Sequence, residues 1–307
     1  MEQPGRGYGR AHGAVSIVNA IGTGFGVAVG VGLRVEARLW RCGEYMVESL
    51  TRGLRLQVDP AIVEAVAEVA GGEAGSRLQG LCGTVVSEVP LEAGLKGSSA
   101  LVNAMLQAAL EILGVDPRSL GLLRLARLGV EAARRAGLTI TGALDDHLAT
   151  LGSGVFYTRN PDQLLLHASP QSLCGKTAVI GVSGRRSIRS VDPAEFRKRA
   201  RLFMEAFLLA YHAAGDEAML RAAALTNSVA VLDSLGGSIS PLVAALSAGA
   251  TVAGVTGKGP AYYAVASGDV VDEVEEALRR SLPEGAEVLR APVLACGSQE
   301  LGEREKS

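Results

Sequence analysis

The sequence is poor in cysteine, in aromatic residues and in net charge. Its four cysteines lie at least 40 residues apart and form no C-x-x-C pair, which matches neither a zinc site nor a disulfide-dense secreted scaffold. We therefore expect reduced thiols and a cytoplasmic location. The 30 basic and 32 acidic residues give a net charge of −2, too balanced for nucleic acid or an anionic membrane as a partner.

Long hydrophobic runs without small or polar residues are also missing. Residues 11–33 and 234–257 are uncharged and have the length of a membrane span, but Gly, Ser, Thr or Asn interrupt both. In the first stretch valines and Ile17 alternate with small residues, which is typical of a strand. By contrast glycine is abundant: it accounts for 39 of the 307 residues, about 13%, whereas its average share in proteins is about 7%. This excess favours turns and anion-binding loops.

Hydrophobic periodicity predicts an α+β protein of two domains. The first 60 residues show short alternating runs, a helix is predicted after Asp59-Pro60, and a strand at 84–89 leads into a glycine-rich loop followed by two helices. From about residue 155 the order strand, helix, strand, strand, helix, strand resembles a ferredoxin-like split β-α-β unit. We expect one domain over 1–155 and a second over 156–307.

The glycine-rich loop at 90–100 reads PLEAGLKGSSA and opens a predicted helix. Gly94 and Gly97 allow the backbone N–H groups to turn toward one point, while Ser98 and Ser99 add hydroxyls at the helix N-terminus. The helix dipole favours an anion there. The pattern predicts an anion-binding loop, and a serine N-cap on a surface helix is the alternative.

Three motifs, in the same order along the chain, resemble those of the GHMP small-molecule kinases. Residues 90–100 are similar to the phosphate-binding motif of that family, residues 10–26 to its N-terminal motif, and residues 254–260 to its C-terminal glycine loop. Within the family, the amino-acid sequences of residues 17–24, 90–100 and 141–146 most resemble those of the archaeal shikimate kinases. The resemblance covers nearly the whole chain.

This resemblance implies a two-domain GHMP kinase fold, with a ribosomal-protein-like first half and a ferredoxin-like second half. It implies ATP and Mg²⁺ as cofactors and a small-molecule hydroxy acid as the partner. The expected reaction converts shikimate to shikimate 3-phosphate in aromatic amino-acid (chorismate) biosynthesis. Homoserine, mevalonate or pantoate are alternative acceptors, and a catalytically silent sensor on the same scaffold is the alternative from another class. The sequence does not indicate an oligomeric state.

The resemblance also assigns roles to residues. Asp145 matches the position that takes the proton from the attacking hydroxyl in the mevalonate and galactose branch, and Asp146 is expected only to cap a turn or helix. The Ser99 hydroxyl and Glu131 are expected to hold Mg²⁺, although Glu131 could instead neutralise arginines on the same polar helix face. The nucleotide-binding residues are expected to be Pro90, Gly94, Leu95, Lys96, Gly97, Ser98, Ser99, Ala100, Gly257, Lys258 and Gly259.

One departure from the family concerns positive charge near the phosphates. Mevalonate kinase-like members have a lysine in the N-terminal motif, but residues 11–24 contain none and position 25 is Phe25. We expect Lys96 or Lys258 to supply this charge, unless both are solvated.

A hydroxy-acid substrate needs a carboxylate ligand, for which the bidentate arginine fork is best suited. Arg185, Arg186 and Arg189 form the densest basic turn of the second half. They are the expected carboxylate ligands, with a solvated loop as the alternative. Asn19, by analogy with the family, is expected to bind substrate hydroxyls together with Asp145.

Overall fold

The structure is a computed structural model that describes residues 5–139, 141–169, 173–186, 191–213 and 215–297. These ranges contain eleven strands and nine α-helices. The strands are β1 (Arg6–Val18), β2 (Phe25–Arg41), β3 (Tyr45–Thr51), β4 (Leu54–Gln57), β5 (Leu81–Ser87), β6 (Val155–Arg159), β7 (Leu164–Ser169), β8 (Thr177–Val182), β9 (Val252–Val255), β10 (Ala261–Ala266) and β11 (Glu287–Leu294).

The helices lie mainly after β4, between β5 and β6, and between β8 and β11. They are α1 (Pro60–Glu73), α2 (Gly97–Ile112), α3 (Gly121–Arg135), α4 (Leu144–Leu151), α5 (Pro193–Arg197), α6 (Ala200–His212), α7 (Glu217–Leu235), α8 (Ser240–Ser247) and α9 (Val271–Ser281), with a 3₁₀ turn at Pro117–Leu120 before α3.

The first sheet is organised around β2. This strand pairs antiparallel with β1, β5, β6 and β11, and β3 adds to β5 in parallel. Strands β6 and β7 also join this sheet. Helices α1 to α4 contribute buried alanine, valine and leucine side chains to the core that covers it.

The second sheet has the strand order β11-β8-β10-β9. Numbered within this half, that order is 4-1-3-2, and the element sequence is the β-α-β-β-α-β of a ferredoxin-like unit. The predicted α+β class and the two-domain architecture are therefore confirmed. Strand β11 belongs to both halves, since residues 287–292 pair with β8 and residues 293–294 pair with β2. This shared strand joins the two sheets.

The two uncharged stretches of the sequence lie inside this fold. Residues 11–33 belong mostly to β1 and β2, and 234–257 contain the end of α7, all of α8 and β9. Among the described residues no single helix is long and apolar enough to cross a membrane, and only α2 with the segment through α3, bent by 110°, reaches that length and composition.

The cysteines are paired, which corrects the expectation of reduced thiols. Cys42 is bonded to Cys82, and Cys174 is bonded to Cys296. The spacing of the cysteines along the chain could not predict this pairing, because each disulfide joins two segments that are distant in sequence and adjacent only in the folded sheets. Cys42 follows β2 and Cys82 lies in β5, which are neighbouring strands. The second bridge ties the segment before β8 to the end of β11.

Candidate active site

A cavity of about 420 Å³ opens between the loop that precedes α2 and the loop that follows β9. Residues from both halves of the chain line it. Those that the chemistry below uses are Asn19, Glu92, Lys96, Ser99, Asp145, Asp146, Arg186 and Lys258. The structure thus brings most of the residues predicted from the sequence to one place.

The loop before α2 is wound tightly by left-handed residues. Glu92, Gly94 and Lys96 have φ values of 53°, 82° and 62°, and alternation of this kind turns successive N–H groups toward one side. Helix α2 starts at Gly97 without a capping side chain, so its first N–H groups are left for an external partner. Ser99, 8% exposed, lies in this first turn and lines the cavity. The geometry is that of an anion-binding loop, as predicted.

The glycine loop after β9 docks directly on the anion-binding loop. The Thr256 hydroxyl donates to the carbonyl of Gly94 at 3.1 Å and accepts from the N–H of Ser16 at 3.0 Å. A Cβ on Gly94 would lie 2.7 Å from the carbonyl oxygen of Thr256, too close for any side chain. Gly94 is therefore required for this contact as well as for its φ.

Asn19 holds the glycine loop in place. Its side-chain amide donates to the carbonyl of Gly257 at 2.5 Å, and its Oδ1 accepts from the N–H of Ile21 at 2.8 Å. Its own N–H donates to Oδ1 of Asn227. Asn19 lines the cavity, and backbone groups use one of the two N–H groups of its amide and one of the two lone pairs of its Oδ1.

Asp145 lies at the start of α4 and is 3% exposed. Its Oδ1 accepts a hydrogen bond from the side chain of Asn160 at 2.7 Å. Burial, and then the neighbouring charge of Asp146, raise the pKa of Asp145 to about 7, while Lys96 opposes this rise. A carboxylate with a pKa near neutrality is suited to accept and release a proton at physiological pH.

Asp146 faces the anion-binding loop rather than capping a turn. Its Oδ1 lies 2.8 Å from Nζ of Lys96, and both side chains are largely buried. Lys258, in the glycine loop, lines the same cavity, and burial together with the charge of Lys96 lowers the pKa of Lys258 to about 8. Two lysines and a carboxylate therefore meet where the two loops approach each other.

Two of the three arginines predicted to bind the substrate carboxylate, Arg185 and Arg186, lie among the described residues and differ in position. Arg186 lines the cavity, donates from Nη1 to the carbonyl of Lys258 at 3.0 Å, and donates its N–H to the carbonyl of Glu92 at 2.9 Å. Arg185 is exposed and does not line the cavity. Arg189 lies outside the described residues. Of the two described arginines, Arg186 is therefore the one that could reach a ligand in this cavity.

Glu131 is not among the residues that line the cavity. Its side chain is 49% exposed and pairs at 2.6 Å with Arg135, which also binds Glu68 of α1. This arrangement fits the alternative role of Glu131, neutralisation of arginines on a polar helix face. The structure does not bring it together with Ser99.

The carboxylate that does lie with Ser99 on the cavity wall and contacts the loop is Asp146. Among the described residues there is no group of three or more His, Cys, Asp or Glu that could enclose a metal ion. A hydroxyl plus one carboxylate nevertheless fits Mg²⁺, which commonly keeps several waters and takes its remaining ligands from substrate phosphates.

Comparison with known proteins agrees with this geometry. Residues 61–154 match the model for the GHMP kinases N terminal domain, and residues 203–284 match that for the GHMP kinases C terminal domain. Together these segments cover more than half of the chain. The chain belongs to the GHMP kinase family. It is accordingly an ATP-dependent small-molecule kinase.

Full-length relatives extend this assignment. This GHMP kinase is 39% identical over 260 residues to a shikimate kinase of Aeropyrum pernix, covering 83% of this chain and 89% of the relative. It is 36% identical over 263 residues to a shikimate kinase of Thermococcus kodakarensis, covering 83% and 90%.

Solved structures of low sequence identity share the fold. A galactokinase of Lactococcus lactis complexed with galactose superposes with a TM-score of 0.72 at 13% identity, covering 94% of each chain. A homoserine kinase of Cytophaga hutchinsonii superposes with a TM-score of 0.71 at 16% identity, covering 96% of this chain and 97% of the other. These matches show the GHMP kinase fold and leave the acceptor open.

Proposed function

We propose that this GHMP kinase transfers the γ-phosphoryl group of ATP to a hydroxyl of shikimate, forming shikimate 3-phosphate and ADP. The observation that carries the proposal is the 39% identity, over 83% of the chain, to a shikimate kinase. The site supports it: a buried carboxylate and an arginine line the same cavity as the phosphate-binding loop. A carboxylate-bearing polyol fits that combination.

The nucleotide phosphates are placed at the N-terminus of α2. Backbone N–H groups from Gly94 to Ser99 and the helix dipole bind the anionic oxygens. Lys96 and Lys258 add positive charge where negative charge develops on the transferred group. They take the place of the lysine that is absent from the N-terminal motif.

Ser99 and Asp146 are the residues that would hold Mg²⁺ on the nucleotide. Bound there, Mg²⁺ would neutralise negative charge on the nucleotide phosphates. The ion pair with Lys96 holds the Asp146 carboxylate in place relative to the loop.

Asp145 accepts the proton of the attacking hydroxyl. The hydroxyl oxygen forms a bond to phosphorus, the bond from phosphorus to the bridging oxygen of ADP breaks, and the proton passes to the Asp145 carboxylate. Arg186 binds the substrate carboxylate and so sets one ring hydroxyl in line with the γ-phosphate. Asn19 keeps the glycine loop closed around this arrangement through its bond to Gly257.

We place the enzyme in the cytoplasm, where ATP is available. Its two disulfides are unusual for that location, since stable intracellular disulfides are known chiefly from hyperthermophilic organisms.

An acceptor panel tests the proposed function. Purified protein with Mg²⁺ and ATP is assayed for ADP release and for the phosphorylated product with shikimate, homoserine, mevalonate and pantoate. The expected result is turnover with shikimate at a kcat/KM well above that of the other three. Turnover of another acceptor with none of shikimate would reject the assignment, and Asp145→Asn is the control for background ATP hydrolysis.

A further inference from the structure

We propose that the hydroxyl of Ser16 donates a hydrogen bond to an oxygen of the phosphoryl group that is transferred from ATP. The proposal rests on the proposed function, in which the nucleotide phosphates lie at the N-terminus of α2. Ser16 belongs to β1, and the mechanism above gives it no role beyond the contact of its backbone N–H with Thr256.

The Ser16 hydroxyl is a buried polar group without a partner. The residue is 1% exposed, and its Oγ has no hydrogen-bond partner among the described residues. A buried hydroxyl that makes no hydrogen bond is less stable than one in water, so such a group needs an explanation. Ser16 also lines the cavity, where a bound ligand would supply the missing acceptor.

Strand β1 places Ser16 where the two loops of the site meet. On the side of β1 that faces away from β2, the N–H of Ala14 donates to the carbonyl of Leu95 at 3.1 Å. The N–H of Ser16 donates to the hydroxyl of Thr256 at 3.0 Å. Leu95 belongs to the anion-binding loop and Thr256 to the glycine loop. The backbone of Ser16 is therefore held beside the place proposed for the phosphates.

The side chain of Ser16 lies on the face of the sheet that carries Asp145. Residues opposite each other in an antiparallel pair, and residues two apart in one strand, share a face. Ser16 is opposite Ala28, which belongs to the same apolar cluster as Leu148 of α4. Two residues before Ala28, a Cβ on Gly26 would lie 2.4 Å from Oδ2 of Asp145. The hydroxyl thus lies between the anion-binding loop and the proposed base.

The pairing of β1 becomes irregular directly after Ser16. Ser16 pairs with Ala28 and Val18 pairs with Val27, so Ile17 is an extra residue with no partner opposite it. A bulge of this kind bends the strand and changes the direction of nearby side chains, and bulges are frequent beside active sites. The irregularity is a second observation that marks this point of β1.

A hydroxyl donor suits the transferred group chemically. The oxygens of that group carry negative charge, and hydrogen bonds to charged acceptors are stronger than those to neutral ones. The attacking hydroxyl of the acceptor lies on the same side of the reaction and is the other possible partner for Ser16. Nucleotide binding in the absence of acceptor distinguishes the two.

Ser16→Ala tests the proposal through the binding of two nucleotides. Calorimetry measures the affinities for ADP and for AMP-PNP, an analogue that has the third phosphoryl group and is not cleaved, both with Mg²⁺. We expect the affinity for AMP-PNP to fall about 10- to 100-fold. The affinity for ADP should not change, because ADP lacks the group that Ser16 binds. Wild-type affinity for AMP-PNP, or equal losses for both nucleotides, would overturn the inference.

Stability distinguishes this role from a structural one. Ser16→Ala removes a hydroxyl that has no partner in the protein, so its free energy of unfolding without nucleotide should equal or exceed that of wild type. Ser228→Ala is the matched control. Ser228 is also completely buried, but its hydroxyl donates to the carbonyl of Ala224 at 2.6 Å and accepts from the N–H of Val255 at 2.9 Å.

Ser228 does not line the cavity, so Ser228→Ala should lose stability and keep the wild-type ratio of the two nucleotide affinities. Chemical denaturation and the same calorimetry check this. If Ser16→Ala instead behaves like Ser228→Ala, with lower stability and an unchanged ratio, the hydroxyl has a structural role and the inference is wrong.

Kinetics place the bond on the nucleotide or on the acceptor. In Ser16→Ala we expect kcat to fall about 10-fold or more with little change in the KM for the acceptor. A higher acceptor KM together with unchanged affinity for AMP-PNP would place Ser16 on the acceptor and overturn the inference.

Failure of this inference is distinguishable from failure of the proposed function. The nucleotide comparison uses no acceptor, so it stands even if the acceptor panel rejects shikimate. Lys96→Met reports the placement of the phosphates and should weaken the binding of both nucleotides. If Lys96→Met weakens both and Ser16→Ala weakens neither, the placement is supported and only the inference about Ser16 fails.

Discussion

Nζ of Lys96 lies 2.8 Å from Oδ1 of Asp146, and the two side chains are only 10% and 18% exposed. This ion pair joins the phosphate-binding loop to the helix that carries Asp145. Since both charges are largely removed from water, loss of one leaves the other poorly compensated. In the proposed mechanism the pair would couple the position of the nucleotide to that of Asp145.

The first prediction concerns this pair. Asp146→Asn should lower kcat by about 10²-fold or more, because the amide neither compensates Lys96 nor serves as a carboxylate ligand for Mg²⁺. It should also raise the Mg²⁺ concentration needed for half-maximal rate. The measurement is a Mg²⁺ titration at saturating ATP.

A double-mutant cycle with Lys96→Met separates the two roles of Asp146. If the pair is the main contribution, the double variant loses less than the sum of the single losses in free energy. An unchanged Mg²⁺ dependence in Asp146→Asn would remove Asp146 from the metal site while leaving the ion pair intact.

The second prediction compares Ser99 and Glu131 as candidate ligands of Mg²⁺. Ser99→Ala should reduce turnover by orders of magnitude, since its hydroxyl is a proposed ligand of Mg²⁺. Glu131→Gln should keep near wild-type kcat and change the free energy of unfolding by less than about 1 kcal/mol, because its partner Arg135 is a surface residue. Steady-state kinetics and chemical denaturation of both variants check this. A large kcat loss in Glu131→Gln would restore it as a metal ligand.

Several elements of the fold were predictable from local pattern alone. The helix start at Asp59-Pro60 is observed as α1, with Asp59 accepting from the N–H of Ala61. The second half follows the predicted order of strands and helices. Residues 90–100 were recognisable because glycine and serine spacing encodes a local backbone shape.

Other features depend on long-range contacts and could not be read from local sequence. Asn160-Pro161 has the composition of a turn. The hydrogen bond from Asn160 to Asp145 forms only because β6 lies beside α4. Helical spacing predicts that Glu131 lies on a polar helix face. It does not predict that this face lies beside α1, where Arg135 also pairs with Glu68. The local sequence indicates a helix cap for Asp146. Its ion pair with Lys96 depends on a loop that is distant in sequence. Pairing of the cysteines likewise required the sheet register.

The third prediction follows from the buried charge of Asp145. Its pKa in the folded protein is raised to about 7, so the folded state binds the proton more tightly than the unfolded chain. The stability contributed by that bound proton is present at low pH and is lost as pH rises through about 7. Asp145→Asn, which cannot ionise, should therefore be more stable than wild type at pH 8, by up to a few kcal/mol.

The same variant should lose activity by about 10²–10⁴-fold in kcat, as expected for a general base. Denaturation at pH 5 and pH 8 is the measurement. The stability difference between variant and wild type should be smaller at pH 5, where Asp145 is protonated. Burial lowers the pKa of His12 and His147 to about 4, but both proteins contain these histidines, so their effect cancels in the difference. An equal stability difference at both pH values would contradict the raised pKa.

The fourth prediction concerns the disulfides. They close loops with sequence separations of 40 and 122 residues, for which loop-closure entropy gives a stabilisation of about 4 and about 5 kcal/mol. Reduction should thus lower the free energy of unfolding, with the larger loss in Cys174→Ser/Cys296→Ser than in Cys42→Ser/Cys82→Ser. The cavity lining includes no cysteine among the described residues, so KM values below the unfolding temperature should not change. Four free thiols in native protein without reductant would contradict both bridges.

The last prediction concerns the substrate carboxylate. Arg186 lines the cavity and uses Nη1 on the carbonyl of Lys258, so the guanidinium retains N–H groups that can bind an acceptor carboxylate. Arg186→Ala should raise the KM for shikimate about 10- to 100-fold with a smaller fall in kcat, because the clamp acts on the bound ground state as well as on the transition state. Arg186→Lys should recover little of the loss, since an ammonium cannot form the bidentate pair.

Arg185→Ala is the matched control for that change. It removes the same charge one residue earlier in the chain, from an exposed side chain outside the cavity, and should leave the KM for shikimate unchanged. Arg186 could bind either the substrate carboxylate or a phosphate of ATP, because its backbone N–H donates to Glu92 of the phosphate-binding loop. The KM for ATP distinguishes these two anions. If Arg186→Ala raises the KM for ATP and leaves that for shikimate alone, Arg186 binds phosphate. The substrate carboxylate must then be bound by another group.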